Sequence, residues 1–264
     1  MFKEITLPKK ILGSFADEKI DIFCYEIVDS TNKRARLYAT DTELDASRAI
    51  LFVADGQTEG RGRLGRSFYS PRSTGLYMTL LLVAPEDELF TRMTALCAVA
   101  VRKAVWDMMG VETGIKWVND LYLGERKVAG ILAESFVAGE RRCVALGIGI
   151  NICTEDFPEE LSAIAGSLTK KRRESEEEQR ADRLALAFSV CKEMKKALQC
   201  RNVGEYMDIY RAASCVIGRE ISFFENGREK RGRAADINDR GELVVDTADG
   251  RITLCGGEIS VRLR

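Results

Sequence analysis

The sequence predicts an α+β fold: a mixed, largely antiparallel sheet with helices packed to one side, followed by a small all-β unit at the C-terminal end. Three observations predict it. Apolar strand-type runs succeed one another from Ile20 to Ile152, the later ones joined by short turns. Between Met93 and Met108 apolar residues recur at three- and four-residue spacing, the pattern of an amphipathic helix. From about Val216 the texture changes to short strands separated by Asn226-Gly227, Arg240-Gly241, Asp249-Gly250 and Gly256-Gly257.

Taken in chain order, residues 20–28 alternate loosely and read as a strand, and Asp29-Ser30-Thr31-Asn32 supplies helix N-cap types for a short helix. Ala49 to Ala54 is a buried strand, and Gly75 to Val83 a longer one. The helix through Met93, Leu96, Cys97, Ala100, Val101, Ala104, Val105 and Met108 ends at Gly110, a natural C-cap. Ile115 to Val118, Leu121 to Leu123, Val128 to Glu134 and Cys143 to Ile152 follow as strands, with Gly124-Glu125-Arg126 as a turn. Lys170 to Arg183 reads as a solvated, charge-rich loop entering a helix whose apolar face is Leu184, Phe188, Cys191, Met194 and Leu198. No internal repeat is visible.

Composition narrows the chemistry. The 264 residues are 45% hydrophobic and 31% charged, which suits a globular chain and neither a disordered nor a membrane-spanning one. No apolar run is long enough for a membrane span, and the start lacks a signal-peptide core, so a cytoplasmic protein is expected. The eight cysteines contain no Cys-x-x-Cys pair and read as reduced, mostly buried residues. There is no histidine, which removes Ser-His-Asp and Cys-His nucleophiles and histidine-ligated metals. Lysine, arginine, carboxylates and backbone amides remain, an inventory suited to phosphate chemistry. With a net charge of -1, any anion site is local and a broad nucleic-acid footprint is not expected.

Two clusters could supply such a site. In Gln57-Thr58-Glu59-Gly60-Arg61-Gly62-Arg63-Leu64-Gly65-Arg66 the glycines allow close backbone approach and the arginines offer bidentate donors. Strand-like residues follow, which excludes a dinucleotide fingerprint, and the Gly-Lys-Ser/Thr of a Walker loop is missing. By itself the stretch is either an anion loop or a solvated basic loop. The second cluster is Lys116-Trp117-Val118-Asn119-Asp120 with Lys127 to Leu132. Its lysines could hold a carboxylate beside an α-phosphate, and Asp120 could hold Mg²⁺ through oxygen. A surface ion pair with a solvated lysine fits the same pattern.

Together with Ser30-Thr31-Asn32, Ser70-Pro71, Gly75-Leu76-Tyr77, Gly147 to Asn151 and Gly256-Gly257-Glu258-Ile259, these clusters occur in a family's order. From about Cys24 to Arg262 the chain resembles the biotin protein ligases, the biotin–[acetyl-CoA-carboxylase] ligases. The resemblance implies a class II synthetase-like catalytic domain over residues 1–214 and an SH3-like barrel over 215–264. It implies ATP and biotin as substrates, Mg²⁺, and a biotin carboxyl carrier domain of a carboxylase as protein partner.

Carried over by position, the resemblance makes Ser30, Thr31, Asn32 and Gln57 contacts to the biotin head. Arg61, Gly62 and Arg63 become the loop that orders over the adenylate, and together with Gly60 they count among the biotin-binding residues. Lys127 lies near the biotin carboxylate and α-phosphate, and Gly130, Ile131 and Leu132 line the biotin pocket. Arg63, Arg66, Phe68, Lys116, Asn119, Asn151 and Arg262 fall on the nucleotide side, with Asp120 as metal ligand. Lys127, Arg63 and Lys116 carry the chemistry.

Three features depart from the family pattern. Val118 stands where proline is usual, and Phe68 where a tryptophan packs on adenine; phenylalanine keeps a smaller stacking face. Only about twenty residues precede the first strand, so no DNA-binding domain, and no DNA or membrane partner, is expected. The resemblance leaves monomer and homodimer open. Lipoate ligases and octanoyltransferases, which share the catalytic fold, are the nearest alternatives, and an RNA- or nucleotide-binding module is the alternative from another class. The Gly-Arg-Gly-Arg loop and Gly-Gly-Glu-Ile favour biotin over the former, and the slightly acidic charge disfavours the latter.

Overall fold

The computed structural model describes residues 2–83, 87–200, 202–225, 228–255 and 261–263. The chain runs α1 (Lys9–Asp17), β1 (Ile20–Val28), α2 (Thr31–Asp41), β2 (Ala49–Gln57), β3 (Gly75–Val83), α3 (Asp87–Met109), β4 (Gly114–Lys116), β5 (Asp120–Leu123), β6 (Arg126–Ala138) and β7 (Arg141–Asn151). Then come α4 (Glu159–Ser162), α5 (Glu176–Gln199), α6 (Val203–Ala212), β8 (Glu220–Glu225), β9 (Arg228–Ile237), β10 (Leu243–Thr247), β11 (Gly250–Leu254) and β12 (Val261–Leu263).

The first seven strands form one sheet in the order β1-β2-β3-β7-β6-β5-β4. Only β1 and β2 pair in parallel, so the sheet is mixed and largely antiparallel. Side chains alternate across a strand, so each strand feeds two different cores. Leu51 and Val53 of β2, Met78 and Leu80 of β3 and Leu146 and Ile148 of β7 pack with the buried faces of α3 and α5. Ile50, Phe52, Leu81 and Ala145, their neighbours in sequence, pack with Ala35 and Ala39 of α2. The long helices thus lie on the expected single side, and the short α2 covers part of the other.

The edge of β1 is covered by the chain's own start: Glu4 bridges Tyr25, and Ile5 N–H donates to Cys24 O at 2.7 Å. Strand edges left open invite pairing with other chains, so this cover protects the sheet. Periodicity reads α3 well because its buried residues are clustered and apolar. The two flanking helices α1 and α6 were not legible, being short and partly polar.

The charge run from Lys170 to Arg183 requires a correction. Its second half is helix, starting at Glu176 behind a Ser175 cap whose Oγ accepts from Glu178 N–H. Arg180 and Arg183 both reach the buried Asp55 at 2.6 Å, and Arg183 is only 3% exposed. A buried carboxylate is tolerable only when paired, and the run supplies its cations.

The remaining strands form a second, antiparallel sheet in the order β11-β10-β9-β8-β12. Its inward residues Ile221, Phe223, Ala234 and Val245 join the same apolar cluster as α3 and β6. Trp117 Nε1, in the β4–β5 turn, donates to Gly241 O at 2.9 Å, and Arg211 of α6 donates to Ile237 O at 3.0 Å, so hydrogen bonds also hold the second sheet to the preceding elements. Of the expected turns, Arg240-Gly241 and Asp249-Gly250 join strands, while Asn226-Gly227 and Gly256-Gly257 lie outside the described residues. All eight cysteines are free. No described helix is long and apolar enough to cross a membrane.

Candidate active site

Glycines inside strands clear a trough on the α2 side of the sheet. Gly147 and Gly149 alternate on one face of β7, and Gly130 of β6 sits directly opposite Gly149. A side chain here would close the space: a Cβ on Gly149 would lie 2.5 Å from the Phe68 ring, and one on Gly147 would collide with the Asn32 amide. Glycine weakens a strand, and its use inside one marks a close approach. The resulting cleft measures about 550 Å³, the size of a small-molecule site.

Polar side chains close one end of the trough. Ser30 caps α2 by backbone geometry and spends no hydroxyl on the cap, while Thr31 and Asn32 open the helix. Gln57, at the end of β2, accepts from Thr31 N–H at 2.8 Å and donates to Ser70 Oγ at 3.0 Å. Asn32 Nδ2 donates to Glu134 Oε2 at 2.8 Å.

The Gly/Arg stretch forms a hairpin-like flap over the cleft. Phe68 N–H donates to Gly60 O at 2.8 Å, Gly62 N–H donates to Arg66 O at 2.7 Å, and Arg61 bridges Ser67. Leu64 and Gly65 turn the tip with φ of 59° and 71°. Gly60 sits at the base of the flap in a close approach: a Cβ there would meet Phe68 O at 2.4 Å and Ser70 Oγ at 2.6 Å. Phe68 lays its ring on the Gly130 and Gly149 floor, with Lys127 Nζ 5.9 Å from the ring centre.

The opposite wall comes from the second cluster. Asn119 is pinned to β6 by Nδ2 donating to Ile131 O at 2.7 Å, and its Oδ1 accepts from Arg63 at 3.1 Å, so the flap touches the far wall. Lys127 lies 2.7 Å from Asp120. Lys116 sits over the Tyr122 ring, 5.2 Å from its centre, with Nζ 3.4 Å from the hydroxyl. Burial lowers the Lys116 pKa, while Asp120 opposes that shift, and burial pushes Tyr122 up to about 12. Among the described residues, five cations, Arg61, Arg63, Arg66, Lys116 and Lys127, line the cleft against one carboxylate, that of Asp120. Such a field favours a polyanion.

A lysine whose proton affinity is lowered by folding costs stability wherever it stays charged. That cost is fully present at neutral pH and is relieved as pH rises towards the ordinary lysine value. Lys116→Met is therefore expected to raise the thermal midpoint at pH 7 while raising the apparent KM of the anionic substrate. Thermal unfolding and initial rates on one preparation check both; a lowered midpoint would show that the charge is not the strained element.

Asp120 does not fit a resident metal. Its carboxylate is paired with Lys127, cations surround it, and the described residues contain no group of three acidic or sulfur ligands.

Of the residues singled out in the sequence, Ser30, Thr31, Asn32, Gln57, Arg61, Gly62, Arg63, Arg66, Phe68, Lys116, Asn119, Asp120, Lys127, Gly130, Ile131, Leu132 and Asn151 all line this cleft. Gly60 does not, and the Arg262 side chain lies outside the described residues, although its backbone pairs with Ser222 in β12. Sequence reasoning missed a strap. Phe157, Leu161, Ile164 and Ala165 wall the cleft beyond Lys127, held by Lys127 N–H donating to Ile164 O at 2.8 Å and Gly166 N–H to Lys127 O at 2.9 Å. No spacing announces it, because its hold is backbone pairing. The trough glycines, by contrast, left a signal in Leu146-Gly147-Ile148-Gly149-Ile150, glycines set among strand formers.

The chain falls in a known class: residues 24–151 match the family model described as Biotin/lipoate A/B protein ligase family. Residues 216–262 match that of the Biotin protein ligase C terminal domain. The Bifunctional ligase/repressor BirA of Bacillus spizizenii is 32% identical over 233 residues, 85% of this chain and 69% of that one. The Biotin--[acetyl-CoA-carboxylase] ligase of Mycobacterium tuberculosis is 30% identical, over 81% of this chain and 79% of its own. Among solved structures, the biotin protein ligase from Aquifex aeolicus in complex with biotin and ATP superposes with a TM-score of 0.74 at 26% identity, covering 92% of this chain and 99% of that one. The chain belongs to the biotin protein ligase family.

Proposed function

We propose that this protein activates biotin with ATP to biotinyl-5'-AMP and transfers the biotinyl group to one lysine of a biotin carboxyl carrier domain. The carrying observation is the order of chemistry along one cleft: the Asn32 amide against Gly147, a glycine trough through Gly149 to Gly130, and Lys127 against Gly130 with Lys116, Arg63 and Arg66 grouped around Asp120. Biotin has that order too, a ureido ring, an aliphatic arm and a carboxylate. Family membership supports the reading.

In this mechanism Thr31, Asn32 and Gln57, with Ser30, hold the ureido head, and Gly130, Ile131 and Leu132 line the arm. Lys127 holds the biotin carboxylate against the α-phosphate, the step at which two anions must meet. A carboxylate oxygen attacks the α-phosphorus, the bond to pyrophosphate breaks, and Arg63, Arg66 and Lys116 balance the displaced charge. Mg²⁺ arrives with the ATP. Asn119, Asn151 and Arg262 serve the nucleotide, with Phe68 offering a ring face to adenine. The flap keeps water from the mixed anhydride until a carrier lysine attacks its carbonyl and AMP departs. We assign catalysis to residues 1–214 and a supporting unit to 215–264. The free thiols and small net charge support action in the cytoplasm without DNA.

The test is carrier labelling with ATP and competing acids. Biotin is expected to label one lysine of a carrier domain with stoichiometric pyrophosphate release. Labelling by lipoate or octanoate and not biotin would overturn the reading.

A further inference from the structure

Three short oxygen–oxygen contacts run behind the polar end of the cleft. Thr79 Oγ1 lies 2.6 Å from Asn32 Oδ1 and 2.8 Å from Thr31 Oγ1, and Thr31 Oγ1 lies 3.1 Å from Gln57 Oε1. Each threonine hydroxyl carries one proton and amide oxygens carry none, so two protons serve three contacts. Which contact goes without a proton fixes what the site offers a ligand.

The amide orientations are set from outside the chain of oxygens. Glu134 Oε2, 2.8 Å from Asn32 Nδ2, accepts only, so it requires the NH₂ end there and turns Asn32 Oδ1 towards Thr79. The Thr31 backbone N–H donates to Gln57 Oε1 at 2.8 Å, which fixes that amide and already gives that oxygen one donor. Among the described residues Asn32 Oδ1 has no such second donor, so the Thr79 proton goes to it, across the shortest contact. The Thr31 proton then goes to Thr79. The longest contact, from Thr31 to Gln57, carries none.

Thr31 consequently turns its proton inward and keeps its lone pairs for the cleft it lines. Gln57 Nε2, with one proton on Ser70 Oγ at 3.0 Å, keeps a second to donate. An acceptor beside a donor matches a cyclic urea, whose ring N–H donates and whose carbonyl accepts. A dithiolane or a plain alkyl chain matches neither.

We propose that Thr79, which is 0% exposed on β3 and does not line the cleft, is a positioning residue for the biotin head, acting with Glu134. It sets the proton direction of Thr31 and the amide orientation of Asn32, an assignment that rests on the biotin reading above. Neither residue bears any chemical mark of function in the sequence. Thr79 occupies an ordinary strand position, and Glu134 ends a run of apolar residues.

The test compares Thr79→Val, nearly the same in shape without the hydroxyl, with Thr79→Ser and Glu134→Gln in the full chain. Thr79→Val is expected to raise the KM for biotin about tenfold, ~1.4 kcal/mol, with the KM for ATP and the thermal midpoint held near wild type. Thr79→Ser restores biotin use to within about twofold, because it restores the proton. Glu134→Gln raises the biotin KM several-fold, since glutamine accepts or donates and no longer dictates how Asn32 faces.

A biotin KM within about twofold of wild type in Thr79→Val overturns the proposal, and so does a parallel rise in both KM values with a falling midpoint, the mark of a merely structural residue. Should the valine variant fail to fold, Glu134→Gln decides: an unchanged biotin KM overturns the proposal. Failure of wild type to use biotin would overturn the functional reading instead, before any variant is compared.

Discussion

Lys127→Ala is expected to slow biotin-dependent pyrophosphate release on the order of 10²- to 10³-fold, the loss seen when one positioned charge-stabilising group leaves an active site. The backbone of residue 127 stays useful in the variant, since its N–H and carbonyl hold Ile164 and Gly166 of the strap. The side chain is 32% exposed and fills no core, so the thermal midpoint should barely move. Truncation also strands Asp120, which then stands as an unbalanced negative charge beside two incoming anions. Lys127→Arg should recover activity only in part, because a planar fork cannot replace a compact ammonium between a carboxylate and a phosphate. Unfolding of the alanine variant, or unchanged pyrophosphate release, would show that Lys127 is a structural partner of Asp120.

The sequence exposed what rests on local pattern and hid what rests on distant pairing. Strands β1 and β3 begin and end at the residues that alternation picks out, and α3 follows from its apolar stripe. The Arg180 and Arg183 pairing with Asp55 was hidden, because nothing in a charged run says that a buried carboxylate waits on a distant strand, β2. Within the cleft, the Gly/Arg stretch and the lysine cluster stood out as residue types, but their spacing fitted a solvated loop and a surface ion pair equally, and only the family resemblance joined them into one site. The strap was invisible because backbone bonds hold it, and Thr79 because a buried threonine in a strand looks like any other. Residues that contact a substrate leave chemical traces in sequence, while residues that orient them leave few.

The flap yields the second large effect. Arg63→Ala is expected to release biotinyl-5'-AMP at least about tenfold faster than wild type, with a smaller effect on its formation. Arg63 is the flap's bridge to the far wall, its guanidinium 3.1 Å from Asn119 Oδ1, and burial works against its charge there, with Asp120 in opposition. Burial disfavours this cation, and a bound adenylate phosphate adds a charge-assisted hydrogen bond to the contacts it already makes. The closed flap is therefore stabilised most when the intermediate is present. Alanine removes both the bridge and the phosphate partner, while the base of the flap persists through Phe68 N–H on Gly60 O and Gly62 N–H on Arg66 O. A chase of preformed, labelled adenylate measures the release directly, and hydrolysis of the freed anhydride should rise with it. An adenylate that stays bound as long as in wild type would mean that the flap's backbone, rather than Arg63, closes the site.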